Sequence, residues 1–308
     1  MKKRAKPDFI CLGPTKTGSS WLHVALDKLP QVQMPRAKEL RYFWGLGDPR
    51  KRFDDTPIGR TERTFGKMSV RWRRRFVRNS WKRMKAGDFK PGMRSTLWDI
   101  KYIFFPQTFS WYQSLFSKNK LSGDIDGEYI YYDQEVISRI KEHLPDVKII
   151  LILRDPIEKH WSQLRMWANH IRLVDLNTRT EDQIVRRFRK ILNSAPYYSD
   201  VIELWRANFS EDQFYIAYYD DLKNNPREYL NDICDFLDID RPGPEIEGLD
   251  QVVFKGEPHP MPLGVEHAAH QMLLPDLRKL VKLVESEHPK RWLSAMERRM
   301  EELSENNE

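Results

Sequence analysis

The stretch Pro7–Leu22, PDFICLGPTKTGSSWL, constrains the fold of this chain more than any other. Four apolar residues, Phe9–Leu12, predict a short buried strand, and the apolar pattern that starts at Trp21 predicts a helix. Between them Gly13–Ser20 is a loop bounded by glycine and rich in hydroxyl groups. A strand–loop–helix unit of this kind directs backbone N–H groups and a helix N-terminus at one point, which favours an anion there.

Gly13 and Gly18 have the GxxxxG spacing of a Walker-type phosphate loop, in which a lysine follows the second glycine. Here Ser19 follows the second glycine, and the lysine of the loop is Lys16. The sequence therefore keeps a phosphate cradle but lacks the lysine and hydroxyl pair that grips a triphosphate with Mg²⁺. This departure argues against a P-loop nucleotide kinase or NTPase, which stays an alternative.

A second segment, Ile149–Trp167, has the same strand–turn–helix pattern and the sequence IILILRDPIEKHWSQLRMW. Its aliphatic run is typical of a central parallel strand that is covered on both faces. Asp155 is a suitable N-cap for the helix, with Pro156 at the first helical position. Because ligands of parallel sheets bind beyond the carboxyl ends of the strands, Arg154 and the Gly13–Ser20 loop should face one crevice.

Strands that alternate with helices predict βαβ crossovers. We expect an α/β, three-layer, P-loop NTPase-like fold in which helices flank a central, mostly parallel sheet. Residues 1–308 should form a single domain with a basic helical insertion at about 60–90. Other predicted elements are a strand at Phe214–Tyr218 and helices at Ser19–Leu29, Gln134–His143, Thr180–Leu192, Tyr197–Asn208, Pro226–Leu237 and Pro275–Glu302.

The net charge of +7 has a local source in residues 60–90, here called the basic segment. Aromatic residues interleave with its arginines, which predicts an amphipathic helix with one docked face. Three interpretations stay open: a solvated helical face, a site for an anionic substrate or membrane surface, and a nucleic-acid site, which we do not expect. Its basic residues include Arg63, Lys67, Arg71, Arg73, Arg74, Arg75, Arg78, Lys82, Arg83 and Lys85.

The two cysteines, Cys11 and Cys234, provide neither a disulfide framework nor a metal-ligand spacing. No apolar run approaches the length of a membrane span, and the basic N-terminus lacks the apolar core of a signal peptide. These features predict a cytoplasmic protein and leave the oligomeric state open. Because the Gly13–Ser20 loop lacks the Walker lysine–hydroxyl pair that holds Mg²⁺, we expect that the protein needs no metal.

The loop GPTKTGSSWL resembles the 5′-phosphosulfate loop of sulfotransferases that use 3′-phosphoadenosine 5′-phosphosulfate (PAPS) and release 3′-phosphoadenosine 5′-phosphate (PAP). Ile149–Trp167 resembles their 3′-phosphate segment, in outline RxPxxRxxSxY. A weaker likeness extends over most of Asp8–Lys255. Because the two segments occur in the right order, each after a predicted strand, the chain is identified as a member of the PAPS-dependent sulfotransferase family. It is closer to the carbohydrate or heparan type than to the small-molecule cytosolic type.

The resemblance implies that the Gly13–Ser20 loop binds the 5′-phosphosulfate of PAPS. Lys16 is also implied to stabilise the bridging oxygen of the leaving phosphate, because an ammonium is a compact charge with three donors. The residues implied to contact the 5′ group are Lys16, Thr17, Gly18, Ser19 and Ser20.

The second segment is implied to bind the 3′-phosphate, the group that distinguishes PAPS from ATP. Arg154 and Ser162 are the implied ligands, since a guanidinium can donate two parallel bonds to a phosphate. Lys159 occupies a position where the family often has another arginine, and it offers charge without the planar fork. Lys255 and Gly256 match a third phosphate element of the family, which closes over the nucleotide.

The catalytic base is implied by RAKELRYFW, which resembles the K-E-x-x-F-F-like segment that supplies a glutamate in the heparan type. Glu39 is the matching residue, and nearby aromatic side chains can raise the basicity of a carboxylate by desolvation. His23 and His259 stay alternatives, because small-molecule sulfotransferases typically use histidine.

The predicted activity is transfer of a sulfuryl group from PAPS to a hydroxyl, or an amine, of a carbohydrate or other small acceptor, possibly an anionic one. Besides the kinase or NTPase, a non-catalytic nucleotide-binding module stays an alternative.

Overall fold

A parallel sheet of four strands forms the centre of the described part of the chain, in the order β2-β1-β3-β4. The strands are β1 (Phe9–Leu12), β2 (Gly123–Asp126), β3 (Lys148–Leu153) and β4 (Phe214–Tyr218). The computed structural model describes residues 5–43, 93–171, 176, 178–251 and 258–305, together with 61, 64–66, 70–71, 73–74, 76–78 and 81.

Helices precede and follow these strands along the chain. Two short 3₁₀ turns, Gly127–Tyr131 and Glu211–Gln213, lie after β2 and before β4. The helices are α1 (Ser19–Asp27), α2 (Met93–Phe104), α3 (Phe109–Ser114), α4 (Gln134–His143), α5 (Pro156–Ile171), α6 (Glu181–Ser194), α7 (Tyr198–Arg206), α8 (Tyr219–Asn224), α9 (Pro226–Phe236), α10 (Leu263–Leu283) and α11 (Glu287–Glu305).

Both faces of the sheet are buried, which explains the uninterrupted aliphatic run of β3. Ile10 and Leu12 belong to one core, together with apolar side chains of α4, α5, α7 and α10. Phe9 and Cys11 belong to the other core, with side chains of α1 and α9. The sheet is thus the middle of three layers, and the predicted α/β fold is confirmed.

β2 was not expected from the sequence, because its residues GDID include two carboxylates. Asp124 is buried, and its Oδ2 atom accepts hydrogen bonds from the hydroxyls of Tyr112 (3.1 Å) and Tyr129 (2.8 Å). A Cβ atom on Gly123 would lie 2.3 Å from the ring of Phe9, so this position of the strand requires glycine. Polar side chains enter this sheet because the surrounding layers supply their hydrogen-bond partners.

The predicted C-terminal helix Pro275–Glu302 is wrong in its bounds, because two helices, α10 and α11, occupy this part of the chain. Pro275 lies inside α10 rather than starting a helix. The chain leaves the first helix after Leu283 and starts α11 at Glu287, where the Ser286 hydroxyl accepts a hydrogen bond from the backbone N–H of His288 (3.3 Å). Pro289 falls in the first turn of α11, where its missing N–H costs little.

The described residues of the basic segment are helical, apart from the bend at Gly66. The ring of Phe76 packs against those of Trp98 (5.8 Å between centroids) and Tyr102 (4.9 Å) of α2. This contact gives the segment the docked face that the aromatic spacing predicts. Its status as an insertion in a single domain stays a prediction.

None of the described helices is long and apolar enough to cross a membrane. Among the same residues, no three His, Cys, Asp or Glu side chains are grouped as a metal site. The cytoplasmic location and the independence from metal stay predictions.

Candidate active site

The loop after β1 is held by its own backbone and by one buried hydroxyl. Thr17 is fully buried, and its Oγ1 donates a hydrogen bond to the Pro14 carbonyl (2.7 Å). Gly18 has φ of 86° and begins α1 without a side-chain cap, and the first turn of the helix carries no acidic residue. The N-terminus of α1 therefore keeps its positive potential available to an external anion.

Glycine is required at position 18 for two separate reasons. Its backbone is in the left-handed region, which side-chain-bearing residues rarely adopt. A Cβ atom there would also lie 2.5 Å from Leu222 Cδ2 and 3.2 Å from the ring of Tyr219, both in α8. The close approach of α8 fixes the position of the loop relative to the end of β4.

Lys16 and Arg154 lie side by side, as the parallel-sheet rule predicts. Arg154 Nη1 donates to the backbone carbonyl of Lys16 (3.0 Å), and its guanidinium lies 4.5 Å from the ring centroid of Tyr219. Burial lowers the pKa of Lys16, and the charges of Arg154 and Arg165 lower it further. The two motifs together create a concentration of positive charge at the carboxyl ends of β1 and β3.

Arg165 was not among the residues predicted for the site. It follows Ser162 by three residues in α5, so helical periodicity places both on the same side of the helix. That spacing is the signal that could have identified it. Ser162 itself is buried. Arg154 also contacts Glu158 at 3.4 Å, a long ion pair with a half-exposed carboxylate.

Lys159 is buried, whereas the resemblance implies that this position offers its charge to the 3′-phosphate. Its side chain is buried, with 2% exposed, and its Nζ lies 3.1 Å from His160 Nε2 and 5.8 Å from the ring centroid of Tyr198. Burial lowers the pKa of Lys159 to about 8. The amine thus belongs to the packing between α5 and α7.

Lys38 connects the segment before Glu39 to the loop, although the sequence did not single it out as a site residue. Its Nζ donates to Ser19 Oγ (3.0 Å) and to Ser20 Oγ (3.2 Å). The same Nζ lies 3.8 Å from Glu39 Oε1. Lys38 therefore lies between the hydroxyls of the loop and the carboxylate of Glu39.

Glu39 is fixed by its backbone and by an arginine. Its backbone N–H donates to the Ile125 carbonyl of β2 (3.2 Å), and its Oε2 accepts from Arg41 Nη2 (2.8 Å). Glu39 and Arg41 have φ of 64° and 57°, and Lys16 has φ of 73°. Three of the four non-glycine residues with positive φ in the described structure thus lie in this region, and such strained backbone is often associated with functional sites.

Three carboxylates lie around Arg41, those of Glu39, Asp126 and Glu128, and Asp126 is buried. Arg41 Nη2 lies 3.7 Å from Glu128 Oε1. Burial raises the pKa of Asp126 well above its ordinary value, although the charge of Arg41 lowers it, and burial raises the pKa of Asp124 to about 6. Burial alone would lower the pKa of Arg41, but Asp126, Glu39 and Glu128 raise it above its usual value. Arg41 is therefore charged and held in place, and it orients Glu39.

Comparison with known proteins decides the family. The sequence model of the Sulfotransferase family matches residues 7–243. This chain belongs to the Sulfotransferase family. A sulfotransferase from Alicyclobacillus acidocaldarius has a similar structure, with a TM-score of 0.58 and 17% sequence identity, over 93% of this chain and 99% of that one.

Two further solved structures resemble this sulfotransferase. The sulfotransferase domain of the olefin synthase from Synechococcus PCC 7002 has a TM-score of 0.49 and 18% identity, over 92% of this chain and 96% of that one. A mouse sulfotransferase complexed with PAP has a TM-score of 0.43 and 15% identity, over 80% of this chain and 64% of that one. No curated protein sequence matches the chain.

The two alternative bases, His23 and His259, lie outside the segment of Glu39. Trp161 Nε1 in α5 donates to the His259 carbonyl (3.2 Å), and the His259 Nδ1 atom lies 2.9 Å from the Pro260 carbonyl oxygen. His23 lies in α1, on the turn after Ser19 and Ser20. Lys255 and Gly256 fall outside the described residues. The candidate site consists of the loop, Lys38, Glu39 and the arginines near β3.

Proposed function

We propose that this sulfotransferase transfers the sulfuryl group of PAPS to a hydroxyl, or an amine, of a carbohydrate or other small acceptor. The observation that supports the donor is the contact between Arg154 and the Lys16 carbonyl, which joins two motifs 138 residues apart. Family membership supports sulfuryl transfer and argues against the kinase and NTPase alternative.

The residues present suit a donor with two separated phosphate groups. The uncapped N-terminus of α1 and Lys16 offer backbone donors and a charge for the 5′ group. Arg154 offers a planar guanidinium for the 3′-phosphate, with Arg165 adding charge and Ser162 on the same helix. PAPS, when bound, supplies the sulfuryl group and the phosphate leaving group.

In this proposal Lys16 stabilises the negative charge that develops on the leaving phosphate oxygen as its bond to sulfur breaks. Burial and neighbouring cations lower the pKa of Lys16, which makes its ammonium a stronger hydrogen-bond donor. Positioning and electrostatic stabilisation of this kind are the main contributions expected of a protein in such group transfers.

Glu39 is the proposed base that takes the proton of the acceptor as the acceptor oxygen or nitrogen bonds to sulfur. Arg41 holds Oε2, whereas Oε1 lies 3.8 Å from Lys38 Nζ on the side of the loop hydroxyls. Oε1 is therefore the oxygen that we expect to receive the proton. The likeness of RAKELRYFW to the heparan-type segment supports a carbohydrate acceptor.

The test is transfer of labelled sulfate from PAPS across a panel of acceptors, with the products identified by mass spectrometry. Glu39→Gln should lower kcat by roughly 10²–10⁴-fold, the range for a lost general base, and leave the Kd for PAP unchanged. Glu128→Gln is the matched control, because it alters a second carboxylate beside Arg41 that is not proposed to touch the acceptor.

Two results would contradict this proposal. A near wild-type kcat for Glu39→Gln, with activity lost in His23→Ala or His259→Ala, would assign the base to a histidine. Equal losses in Glu39→Gln and Glu128→Gln would mean that the carboxylates around Arg41 serve the structure rather than proton transfer.

A further inference from the structure

Exposed apolar side chains are concentrated in one part of the described molecule. Isolated apolar residues on a surface are ordinary, but a contiguous group of them marks an interaction site. Seven of the eleven large apolar side chains that are exposed in the described residues lie between positions 65 and 105. They are Phe65, Val77, Trp81, Leu97, Ile100, Phe104 and Phe105.

Helix α2 is apolar on two faces. Trp98 and Tyr102 are buried in the core that includes α3 and α4. Leu97, Ile100 and Phe104 follow the i, i+3, i+7 spacing of one helical stripe and are 55%, 41% and 73% exposed. An apolar stripe on a second, solvent-facing side of a helix is available to an apolar partner.

The basic segment lines an open groove beside this stripe, with a volume of about 660 Å³. The residues of the basic segment that line the groove follow a helical spacing of three or four positions, which places them on one helical face. Ile103 of α2 forms the other wall of the groove. Arg73 Nη2 donates to the Phe105 carbonyl (3.2 Å) and joins the two walls. The lining residues are Val70, Arg73, Arg74, Val77, Arg78, Trp81 and Ile103.

We propose that this surface, the groove together with the exposed stripe Leu97–Phe104, binds the face of an anionic lipid bilayer. We call it the Trp81 face. Arg74 and Arg78 are exposed, and no carboxylate among the described residues forms an ion pair with either. They are placed to meet anionic headgroups, while the apolar side chains enter the boundary with the acyl chains.

Charge and apolarity together favour a bilayer over a nucleic acid. Phosphates of a duplex would satisfy Arg74 and Arg78, but they would leave the apolar stripe of α2 in water. A bilayer covers both kinds of side chain at once, because headgroups and hydrocarbon adjoin at its surface.

The Trp81 face is separate from the proposed catalytic residues. A layer of packed rings lies between it and the segment of Glu39: Phe76 against Tyr102 (4.9 Å), Tyr102 against Trp111 (6.0 Å), and Trp111 against Tyr42 (6.4 Å). Membrane binding at the Trp81 face would therefore not contact Glu39 directly, and it can be tested without any assay of sulfuryl transfer.

The experiment is sedimentation of the full chain with large unilamellar vesicles of phosphatidylcholine, alone or with roughly a third phosphatidylglycerol, over a range of salt concentrations. We expect binding to the anionic vesicles, weakening as salt rises. Replacing Arg74 and Arg78 together by glutamine should lower partitioning roughly 30-fold, on the basis of about 1 kcal/mol per arginine near an anionic surface. Trp81→Ala should lower it as well.

The matched control replaces Arg186 and Lys190 by glutamine, which removes the same charge from an exposed face of α6. It should bind as the wild type does, and thermal melts should show that all the variants are folded. Equal losses in the control and the Arg74, Arg78 variant would overturn the proposal, since net charge alone would then explain binding. So would undiminished vesicle binding by Trp81→Ala, or a preference for duplex DNA over anionic vesicles.

Discussion

Two strand–turn–helix units lie next to each other in this sheet, and they prepare their helix N-termini in opposite ways. The unit of β1 and α1 begins its helix at Gly18, with no side chain as a cap. In the unit of β3 and α5, Asp155 Oδ1 accepts from the backbone N–H groups of Ile157 (2.8 Å) and Glu158 (3.2 Å). The N-terminus of α1 is open to an external anion, whereas the N-terminus of α5 is capped by the carboxylate of Asp155.

The difference indicates how each unit can bind a phosphate. At α1, backbone N–H groups and the helix dipole are available. At α5, a carboxylate occupies that place, so the proposed contact with the 3′-phosphate depends on side chains, above all on Arg154. In the proposed complex the same local fold would thus provide a backbone site and an arginine site within one crevice, one for each phosphate group of PAPS.

Of the two units, the open one should show the larger effect on activity. Lys16→Ala should lower kcat by roughly 10²–10³-fold for every acceptor, by analogy with the loss of one oxyanion-stabilising donor. Steady-state kinetics with PAPS measure it, and Lys28→Ala, at the other end of α1, is the control because its Nζ donates to the Glu247 carbonyl, away from the loop. A rise in KM for PAPS with kcat unchanged would mean that Lys16 only binds the donor.

The capped unit contains a lysine whose burial should be visible in stability. The unfolded chain binds a proton at Lys159 up to its ordinary pKa of 10.5, and the folded chain only up to about 8. The free energy of unfolding should therefore rise with pH between about 8 and 10, as the penalty of the buried charge disappears.

Lys159→Met should remove this pH dependence. Near pH 7 it should be more stable than the wild type by at most about 3 kcal/mol, less the loss of the contact with His160. Urea unfolding of both proteins from pH 7 to 10 gives the difference, in which other titrating groups cancel. A difference in the free energy of unfolding that stays constant from pH 7 to 10 would contradict the burial of the charge. A large loss of PAP affinity in Lys159→Met would indicate that Lys159 contacts the 3′-phosphate after all.

Arg154→Gln tests whether the arginine beside the capped helix binds the 3′-phosphate. The variant should bind PAP roughly 10–100-fold more weakly, since a hydrogen bond to a charged group contributes about 1.5–3 kcal/mol. AMP, which lacks the 3′-phosphate, should bind as before. Calorimetry with both nucleotides measures this. Equal losses for AMP and PAP would mean that Arg154 acts by supporting the Lys16 loop.

The sequence predicted the parts of this site that local pattern determines. The strands β1 and β3 follow from apolar runs, and the rule for parallel sheets brings Lys16 and Arg154 together. The electrostatic interaction of Asp126 with Arg41 could not be foreseen, because it depends on a polar strand, β2, whose composition argues against a buried strand. The hydrogen bonds from Lys38 to the loop and the left-handed backbone at Glu39 are likewise not indicated by any local pattern in the sequence.

The smallest expected effect concerns the cap itself. Asp155→Ala removes the acceptor for two N–H groups of α5 and should cost about 1 kcal/mol of stability relative to Asp155→Asn, which keeps an oxygen there. Because burial raises the pKa of Asp155 to about 6, the carboxylate is still mostly ionised at pH 7, but its ionisation costs more in the folded chain than in the unfolded one, so Asp155→Asn should be at least as stable as the wild type there. Thermal unfolding of the three proteins gives the order of their stabilities.

Neither variant should change the affinity for AMP, since the 5′-phosphate is assigned to α1. If Asp155→Ala weakened AMP binding as much as it lowered stability, the two helix N-termini would not be independent, and the division between a backbone site and an arginine site would fail.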